Sequence, residues 1–402
     1  MGGSQCMKTK AIVLSLVCST TLWFCLDLAV PQSGFTSGGK GRLVWSDEFD
    51  DDAIDRSAWN VITSINGGGN GEFQEYTDDG ATVTVQNGRL AITPTLTTLP
   101  RKFLYNGTYD LGDCSDTWPG ACKRTGTANF PLPGVRSGKV TTQGKFAFTY
   151  GVLEARLRPP RGDWLWPAFW LLPDDQKYGI WQRIWPRSGE IDLMEGRGNG
   201  VDWEMLGGDP NRRRLEEDPA NWVYSTYGVN SFTSTVHCAG PGFKDDFDMV
   251  KRTRPPASLA DDDGFLVFGL RWSEGRVRTY YVDSATGEEH TVVDWRGHDR
   301  RPNCRGAYDD AKTPLARYGA PYDVDFYVIF NLAVGGDCGG KDYYWGHDTP
   351  WAPANCPGKA AGLTSAACFL EAQDDWYPTW GDDNQLLVDW IRVWELPDGE
   401  AP

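Results

Sequence analysis

The stretch Leu386-Leu-Val-Asp-Trp-Ile-Arg-Val-Trp394 consists of aliphatic and aromatic residues with only two charged members. Branched and aromatic side chains in a short run favour a β-strand, and the Asp, Asn, Pro and Gly residues on either side are typical of turns. Runs of the same kind recur along the chain: Lys145-Phe-Ala-Phe-Thr-Tyr150, Val152-Leu-Glu-Ala-Arg-Leu157, Phe265-Leu-Val-Phe-Gly-Leu270, Val277-Arg-Thr-Tyr-Tyr-Val282 and Phe326-Tyr-Val-Ile-Phe330. This recurrence predicts a chain built mainly of strands.

No amphipathic pattern of three helical turns separates these runs in the sequence. The pattern therefore predicts an all-β protein, with two curved antiparallel sheets packed face to face. Curved sheets of this kind leave a concave face that can bind an extended polymer. The 402 residues would suffice for two domains, but all-β sandwiches run to roughly 200–250 residues as single units, and we favour one domain.

A second strand-like run, Gly189-Glu-Ile-Asp-Leu-Met-Glu195, contains three carboxylates. In a regular strand Glu190 and Asp192 face one side, while Glu195 faces the other. A bulge of one residue near Leu193 and Met194 would return Glu195 to the face of the other two. Two carboxyls about 5–5.5 Å apart are what a retaining glycosidase requires, one as nucleophile and one as general acid and then base.

The simpler interpretation of these carboxylates is the solvated face of a sheet. The preceding residues argue against it, because a solvated face does not need the aromatic residues found there: Trp164, Trp166, Phe169, Trp170, Trp181 and Trp185. The whole chain has 19 Trp, 16 Tyr and 17 Phe, more than one core needs. Flat rings on a concave face suit the apolar faces of sugars.

The formal net charge of −16 and the lack of a basic stripe argue against a nucleic-acid partner. At the N-terminus, Lys8 and Lys10 precede a mostly apolar run over residues 11–30, as in a secretory signal peptide. We predict a signal peptide over residues 1–33 and a short linker over 34–42. The alternative is a retained signal anchor, which Asp27 near the end of the run disfavours. The mature chain is expected to be extracellular and off the membrane.

Ten cysteines become seven once Cys6, Cys18 and Cys25 leave with the signal. Their number fits an oxidising compartment with one cysteine left over. Cys114 and Cys122 flank a turn and are close enough in sequence to close a local loop. A second pair is expected among three cysteines of one Gly/Pro-rich stretch: Cys338, Cys356 and Cys368. Asn106-Gly107-Thr108 is an N-glycosylation sequon.

Taken together, these motifs resemble the laminarinase group of glycoside hydrolase family 16, which also includes animal β-1,3-glucan-recognition proteins. The resemblance covers residues 43–396 and leaves a tail over 397–402. It rests on motifs in family order: Leu43-Val-Trp-Ser-Asp-Glu-Phe49, Asn70-Gly-Glu-Phe-Gln-Glu-Tyr76, Leu165-Trp-Pro-Ala-Phe-Trp-Leu-Leu-Pro173, the carboxylate segment, Phe330-Asn-Leu-Ala-Val-Gly-Gly336 and Val388-Asp-Trp-Ile-Arg-Val-Trp394.

The resemblance implies a β-jelly-roll with an open substrate cleft across its concave sheet. It implies a retaining double displacement with Glu190 as nucleophile, Glu195 as acid/base and Asp192 as the residue that orients and tunes the nucleophile. Glu195 must be protonated to act as an acid, so like-charge neighbours should raise its pKa.

Other site residues are carried over by position. Trp185, Trp166 and Trp170 match aromatics that line sugar subsites, with core packing an equal alternative for Trp170. Asn70 and Glu72 lie in a loop whose polar side chains can meet sugar hydroxyls, and the glycines at 67–69 would let that loop approach closely.

Two further assignments come from the same comparison of motifs. His237 lies where the family often has a substrate-contacting histidine, although a lone histidine is more often structural. Glu48, Gly88 and Asp389 match a structural calcium site away from the cleft, where the alternative is that Asp389 merely points outward from its strand. No cofactor is expected for catalysis.

The sequence thus predicts a secreted, monomeric, retaining endo-1,3-β-D-glucanase that hydrolyses laminarin-like β-1,3-glucans. One alternative is a non-catalytic β-1,3-glucan-recognition protein, but such receptors typically lack the two catalytic glutamates, which are present here. The other alternative is a family 16 hydrolase with mixed-linkage or other β-glycan specificity, since specificity lies in the loops. The segment from Gly336 to Ala367 is long and cysteine-bearing, so the acceptor side of the cleft is expected to differ from relatives.

Overall fold

A computed structural model describes residues 39–174, 177–178, 185–199, 228–229, 231–239, 251–253, 260–261, 263–297, 319–338, 344–345, 349–356, 358 and 362–397. For residues 251–253 only the backbone is described. The predicted signal peptide lies outside the described residues, as do most of the predicted linker and tail.

The strands are, in chain order, β1 (Leu43–Asp47), β2 (Asn60–Val61), β3 (Gln74–Tyr76), β4 (Val83–Val85), β5 (Leu90–Ile92), β6 (Thr95–Leu96), β7 (Thr108–Asp110), β8 (Lys123–Thr125), β9 (Val135–Ser137), β10 (Lys139–Thr141), β11 (Ala147–Phe148), β12 (Gly151–Arg158), β13 (Leu165–Pro173), β14 (Glu190–Gly196), β15 (Phe232–His237), β16 (Lys251–Thr253), β17 (Leu266–Ser273), β18 (Arg276–Val282), β19 (Glu289–Arg296), β20 (Phe326–Val334) and β21 (Leu386–Trp394). The helices are α1 (Arg101–Leu104), α2 (Ser365–Glu371), α3 (Gln373–Trp376) and a 3₁₀ turn (Tyr377–Thr379).

These strands form two large antiparallel sheets. The first, called the cleft sheet below, has the order β16-β15-β14-β13-β20-β10-β2, with β11 paired to β20. The second, called the outer sheet, has the order β19-β18-β17-β12-β21-β5-β4, with β1 paired to β21. Two small sheets, β3-β9-β6 and β7-β8, complete the described β structure.

The side chains of β20 show how the cleft sheet obtains two apolar faces. Every residue of this strand is buried. Phe330 belongs to the main core and stacks on Phe169 of β13, with ring centroids 4.7 Å apart. The alternate residues Tyr327 and Ile329 belong to a separate apolar cluster, which Trp170 also joins. Because strand residues alternate between faces, one face of the sheet packs in the core and the other lines the site described below.

The prediction of an all-β protein is confirmed. Strand β21 has the predicted bounds, and the longest helix among the described residues has only seven residues. The run that begins at Lys145 is the weakest match, since only Ala147–Phe148 pair as a strand there. Tyr150 at the end of that run has a φ of 64°, which a regular strand cannot accommodate.

The disulfide predictions are confirmed where they can be compared. Cys114 bonds to Cys122 and Cys356 bonds to Cys368, which leaves Cys338 as a free and buried thiol. Cys238 is disulfide-bonded as well. Among the described helices, none has the length and apolar character needed to cross a bilayer.

Candidate active site

A bulge in β14 brings the three carboxylates to one face of the cleft sheet. Against β13, Met194 pairs with Phe169 and Asp192 pairs with Trp170, so Leu193 is the extra residue. Against β15, Asp192 pairs with Thr235 and Glu195 with Thr233, alternate residues of one strand. The bulge prediction is therefore confirmed, because the extra residue restores Glu195 to the face of Glu190 and Asp192.

The bulge is stabilised by the core beneath it. Leu193 and Met194 are 1% and 0% exposed, and both belong to the main apolar core. Burying two such side chains is worth roughly 1.5–3 kcal/mol each. Ser234, which lies opposite the bulge, donates from its hydroxyl to the carbonyl of Asp192 at 2.6 Å.

The His237 ring lies close to the carboxylates of both Glu190 and Asp192. Nε2 of His237 lies 3.2 Å from Oδ2 of Asp192 and 3.9 Å from Oε1 of Glu190. The indole N–H of Trp185 donates to Oε2 of Glu190 at 3.2 Å, and the Trp185 ring lies 5.2 Å from the His237 ring. Trp185 is 42% exposed, so its ring is open to solvent.

The same group has the spacing of a possible metal site. Ligand atoms of Glu190, Asp192 and His237 lie within 4.8 Å of one another. A histidine that pairs with two carboxylates gives the same spacing without an ion.

Glu195 lies in a different environment. The indole N–H of Trp166 donates to its Oε1 at 3.1 Å, and the Thr233 hydroxyl lies 3.5 Å from its Oε2. Burial raises the pKa of Glu195 to about 7, and the charge of Asp192 adds to the rise. The sequence predicted the direction of this change from the neighbouring charges, whereas the larger cause is burial.

Trp170 lies on the cleft face rather than in the core between the sheets. It packs against the cluster of Tyr327 and Ile329 and donates from its indole to Oδ1 of Asn331 at 2.6 Å. The ammonium of Lys139 lies 4.8 Å from the centre of its ring. Trp166, in contrast, is only 6% exposed, so its N–H towards Glu195 is its clearest link to the site.

The loop that carries Asn70 and Glu72 folds back on itself. Glu72 accepts from the Asn70 side chain at 3.4 Å and from Gln74 at 3.0 Å, and burial raises its pKa. Gly68 has a φ of 58°, and a Cβ there would lie 2.2 Å from Oε2 of Glu72. The missing side chain at Gly68 thus leaves room for the Glu72 carboxylate.

The residues predicted to bind calcium lie on the outer sheet and its turns. Glu48 accepts from Nε and Nη2 of Arg392 at 2.9 and 2.7 Å. Asp389 accepts from Nε of Arg89, the neighbour of Gly88, at 3.3 Å, and from Arg156. Both carboxylates are thus already compensated by guanidinium groups. This arrangement does not fit a calcium site, in which the oxygens face the ion.

The sequence did not identify several residues of this site. The strand register places Lys139, Asn331 and Glu195 in one row across the cleft sheet, through Ala168. Alternate residues of a strand share a face, so counting every second residue along β20 from Tyr327 and Ile329 places Asn331 on the cleft face. Tyr344 stacks on Trp166 with ring centroids 3.7 Å apart, and no spacing in the sequence predicts that contact.

The two glutamates are therefore suited to different tasks. Glu190 lies beside the histidine and the N–H of Trp185, both of which can stabilise a carboxylate. Glu195 is half-buried and desolvation raises its pKa to about 7, so it can hold a proton and release it. This division of roles is that of acid/base catalysis with a carboxylate nucleophile.

Known proteins similar to this chain include a β-1,3-glucan-binding protein of Penaeus monodon, which is 32% identical over 378 residues, 89% of this chain and 91% of the relative. A glucan endo-1,3-β-glucosidase of Cryptopygus antarcticus is 30% identical over 317 residues, 78% of this chain and 88% of the relative. No family model matches the sequence.

The structure is also similar to the laminarinase of Rhodothermus marinus, with a TM-score of 0.52 and 23% identity over 90% of this chain and 99% of the other. That likeness confirms the jelly-roll sandwich of two antiparallel sheets. From the sequence relatives and the shared fold, the chain belongs to glycoside hydrolase family 16, in the group of laminarinases and their β-1,3-glucan-binding relatives.

Proposed function

We propose that the protein is a secreted, retaining endo-1,3-β-D-glucanase that acts as a monomer on laminarin-like β-1,3-glucans. The observation that carries the proposal is the contrast between the two glutamates on one face of β14. Glu190 lies 3.9 Å from His237 and accepts from Trp185, whereas desolvation raises the pKa of the half-buried Glu195 to about 7.

The reaction would proceed in two displacements. In the first, a carboxylate oxygen of Glu190 attacks the anomeric carbon, and Glu195 gives its proton to the departing glycosidic oxygen. This breaks the glycosidic bond and leaves a glycosyl ester on Glu190. In the second, Glu195 takes a proton from water, the water oxygen attacks the anomeric carbon and Glu190 departs as a carboxylate.

The remaining residues support binding and orientation. Asp192, 3.2 Å from His237, would keep that histidine directed at the nucleophile. Trp185 and Trp170 offer ring faces to sugar, while Asn70 and Glu72 offer polar atoms to its hydroxyls. The names of the relatives point to β-1,3-glucan as the polymer.

Secretion is supported by the disulfides and by the sequon. Cys114–Cys122 and Cys356–Cys368 suit an oxidising compartment. Asn106 is exposed, so a glycan would be accommodated there.

A second candidate function is recognition of β-1,3-glucan without hydrolysis. The observation that favours it is the 32% identity to a protein named for glucan binding. The same fold and aromatic residues would serve both functions. Against it stand the two glutamates, since binding alone needs neither a nucleophile nor a proton donor.

Laminarin hydrolysis separates the two candidates. The unmodified protein and a Glu190→Ser variant are incubated with laminarin, and reducing ends are followed over time. We expect release by the unmodified protein and a loss of at least about a thousandfold in the variant. The matched control is Glu395→Ser, an exposed glutamate beyond β21. Binding of laminarin without any release would refute the hydrolase and favour the recognition protein.

A further inference from the structure

Arg197 follows the last residue of β14, and its guanidinium is held by the segment that contains Tyr344. The residue is 5% exposed, and Nε and Nη2 both donate to the carbonyl of Tyr344, Nε at 3.0 Å. In return, the Tyr344 hydroxyl donates to the carbonyl of Gly196 at 2.9 Å. The end of the strand and the Tyr344 segment are therefore joined by hydrogen bonds in both directions.

The ring of Tyr344 contacts Arg197 and Trp166, and it also lies edge-on to Trp345 with ring centroids 5.1 Å apart. Its centroid lies 3.8 Å from the guanidinium carbon of Arg197 and 3.7 Å from the ring centroid of Trp166, with 14° between the ring planes. Stacked rings attract each other, and so do a cation and the face of an aromatic ring. A buried indole with these neighbours has little freedom to rotate.

Trp166 is also the residue that donates to Oε1 of Glu195 at 3.1 Å. The contacts thus run without a break from Arg197 through Tyr344 and Trp166 to the carboxyl. Resting on the function proposed above, we propose that Arg197 and Tyr344 are positioning residues for the acid/base. They fix the indole of Trp166 so that its N–H stays directed at Glu195.

Arg197 has a second effect, through its charge. Its positive charge favours the ionised form of Glu195 and so lowers the carboxyl's pKa, in opposition to burial and Asp192. Other charged or titratable groups act in the same region: Glu190 and Asp192 on β14, His237 on β15, Lys139 on β10, Glu72 in the Asn70 loop and the Cys338 thiol after β20. Within the described part of the chain, Arg197 is the charged residue that also has a hydrogen bond to Tyr344, the residue stacked on Trp166.

The charge is tested with Arg197→Met, which has a similar length but no charge, and Arg197→Lys, which keeps the charge. The readout is the pH dependence of kcat/KM on laminarin, whose alkaline limb reports ionisation of the acid in the free enzyme. We expect Arg197→Met to move that limb up by roughly half a pH unit or more, and Arg197→Lys to move it less. Arg42→Met, at an exposed arginine paired with Glu395, is the control and should not move it.

The ring contact is tested with Tyr344→Phe, which keeps the stacking, and Tyr344→Leu, which removes it. We expect kcat of the Leu variant to fall at least about tenfold below that of the Phe variant, with a smaller difference in KM. The control is Tyr377→Leu, at a tyrosine that is 42% exposed. Melting temperatures of all variants show whether the fold is intact.

The outcomes are distinct. An unmoved alkaline limb in a folded Arg197→Met would overturn the inference, because a merely structural arginine would lower activity equally at every pH. If Arg197→Met does not fold, the tyrosine pair decides, and equal kcat values for Tyr344→Phe and Tyr344→Leu overturn it. Absence of hydrolysis by the unmodified protein refutes the proposed function itself, and the inference with it.

Discussion

Nε1 of Trp166 lies 3.1 Å from Oε1 of Glu195 and donates a hydrogen bond to it. A bond from a neutral donor to a carboxylate favours the ionised form, so it lowers the pKa that burial has raised. The proton affinity of Glu195 therefore depends on Trp166, for which the family resemblance implies only sugar binding.

Trp166→Phe should raise the pKa of Glu195 and move the alkaline limb of the kcat/KM profile to higher pH. The phenyl ring keeps the stacking with Tyr344 but has no N–H. The measurement is the pH dependence of laminarin hydrolysis between pH 4 and 9. Trp118→Phe, at a tryptophan that is 45% exposed, is the control. A limb that stays in place would mean that the indole does not influence the acid/base.

Glu195→Gln should change stability in a pH-dependent way. The carboxyl's pKa is raised from 4.5 to about 7 on folding, so between these values the folded state binds a proton that the unfolded state has lost. Stability of the unmodified protein therefore falls as pH rises through this window, and the cost is complete above pH 7. The side-chain amide of the Glu195→Gln variant does not ionise, so the variant does not lose this stability as the pH rises.

We expect Glu195→Gln to be more stable than the unmodified protein by roughly 1–3 kcal/mol at pH 8, and equally stable near pH 4.5. Urea unfolding at several pH values measures the difference. Glu395→Gln, at an exposed glutamate, should show no such trend. A constant difference across the range would contradict the raised pKa.

Gly68→Ala should weaken laminarin binding. The new Cβ would lie 2.2 Å from Oε2 of Glu72, and the φ of 58° at this position is unfavourable for any residue with a side chain. We expect KM to rise and the free energy of unfolding to fall by about 1–2 kcal/mol. Gly69→Ala is a matched control, since nothing lies within 4 Å of its added Cβ. If Gly68→Ala and Gly69→Ala changed KM equally, the loop that carries Asn70 and Glu72 would not have the predicted role in laminarin binding.

A chelator tests the site of Glu48, Gly88 and Asp389. The family resemblance predicts a lower melting temperature on removal of calcium. The pairs of Asp389 with Arg89 and Arg156 predict no change, because arginine already supplies the positive charge. We expect the melting temperature to stay the same with a chelator and with added calcium. A drop on chelation, reversed by calcium, would show that the ion displaces the arginines.

Local patterns allowed the architecture to be predicted because strand alternation and turn residues are encoded in neighbouring positions. The bulge followed from the same reasoning, since only an extra residue near Leu193 returns Glu195 to the face of Glu190. The run from Lys145 to Tyr150 differed at both ends, because the Lys145 N–H donates to the Thr142 carbonyl in a turn and Tyr150 adopts a positive φ. A tyrosine gives no local sign of that conformation.

The surroundings of the carboxylates were harder to predict. Tyr344 contacts Trp166 and Arg197 although it lies 147 residues beyond Arg197 in sequence, and local patterns do not predict contacts over such a separation. The arginines at Asp389 were missed for a similar reason, since Arg89 lies 300 residues away in sequence. A motif can suggest which carboxylates would bind a calcium ion. It does not show which arginine side chains pair with those carboxylates instead.

The proposed mechanism requires Glu190 to form a covalent glycosyl ester during hydrolysis of β-1,3-glucan. The most direct test is NMR of the first reducing sugars released from a laminarin oligosaccharide, recorded before the anomers equilibrate. A double displacement retains configuration, so the β-anomer should appear first. Early appearance of the α-anomer would contradict the mechanism, and the absence of any released sugar would contradict hydrolysis itself.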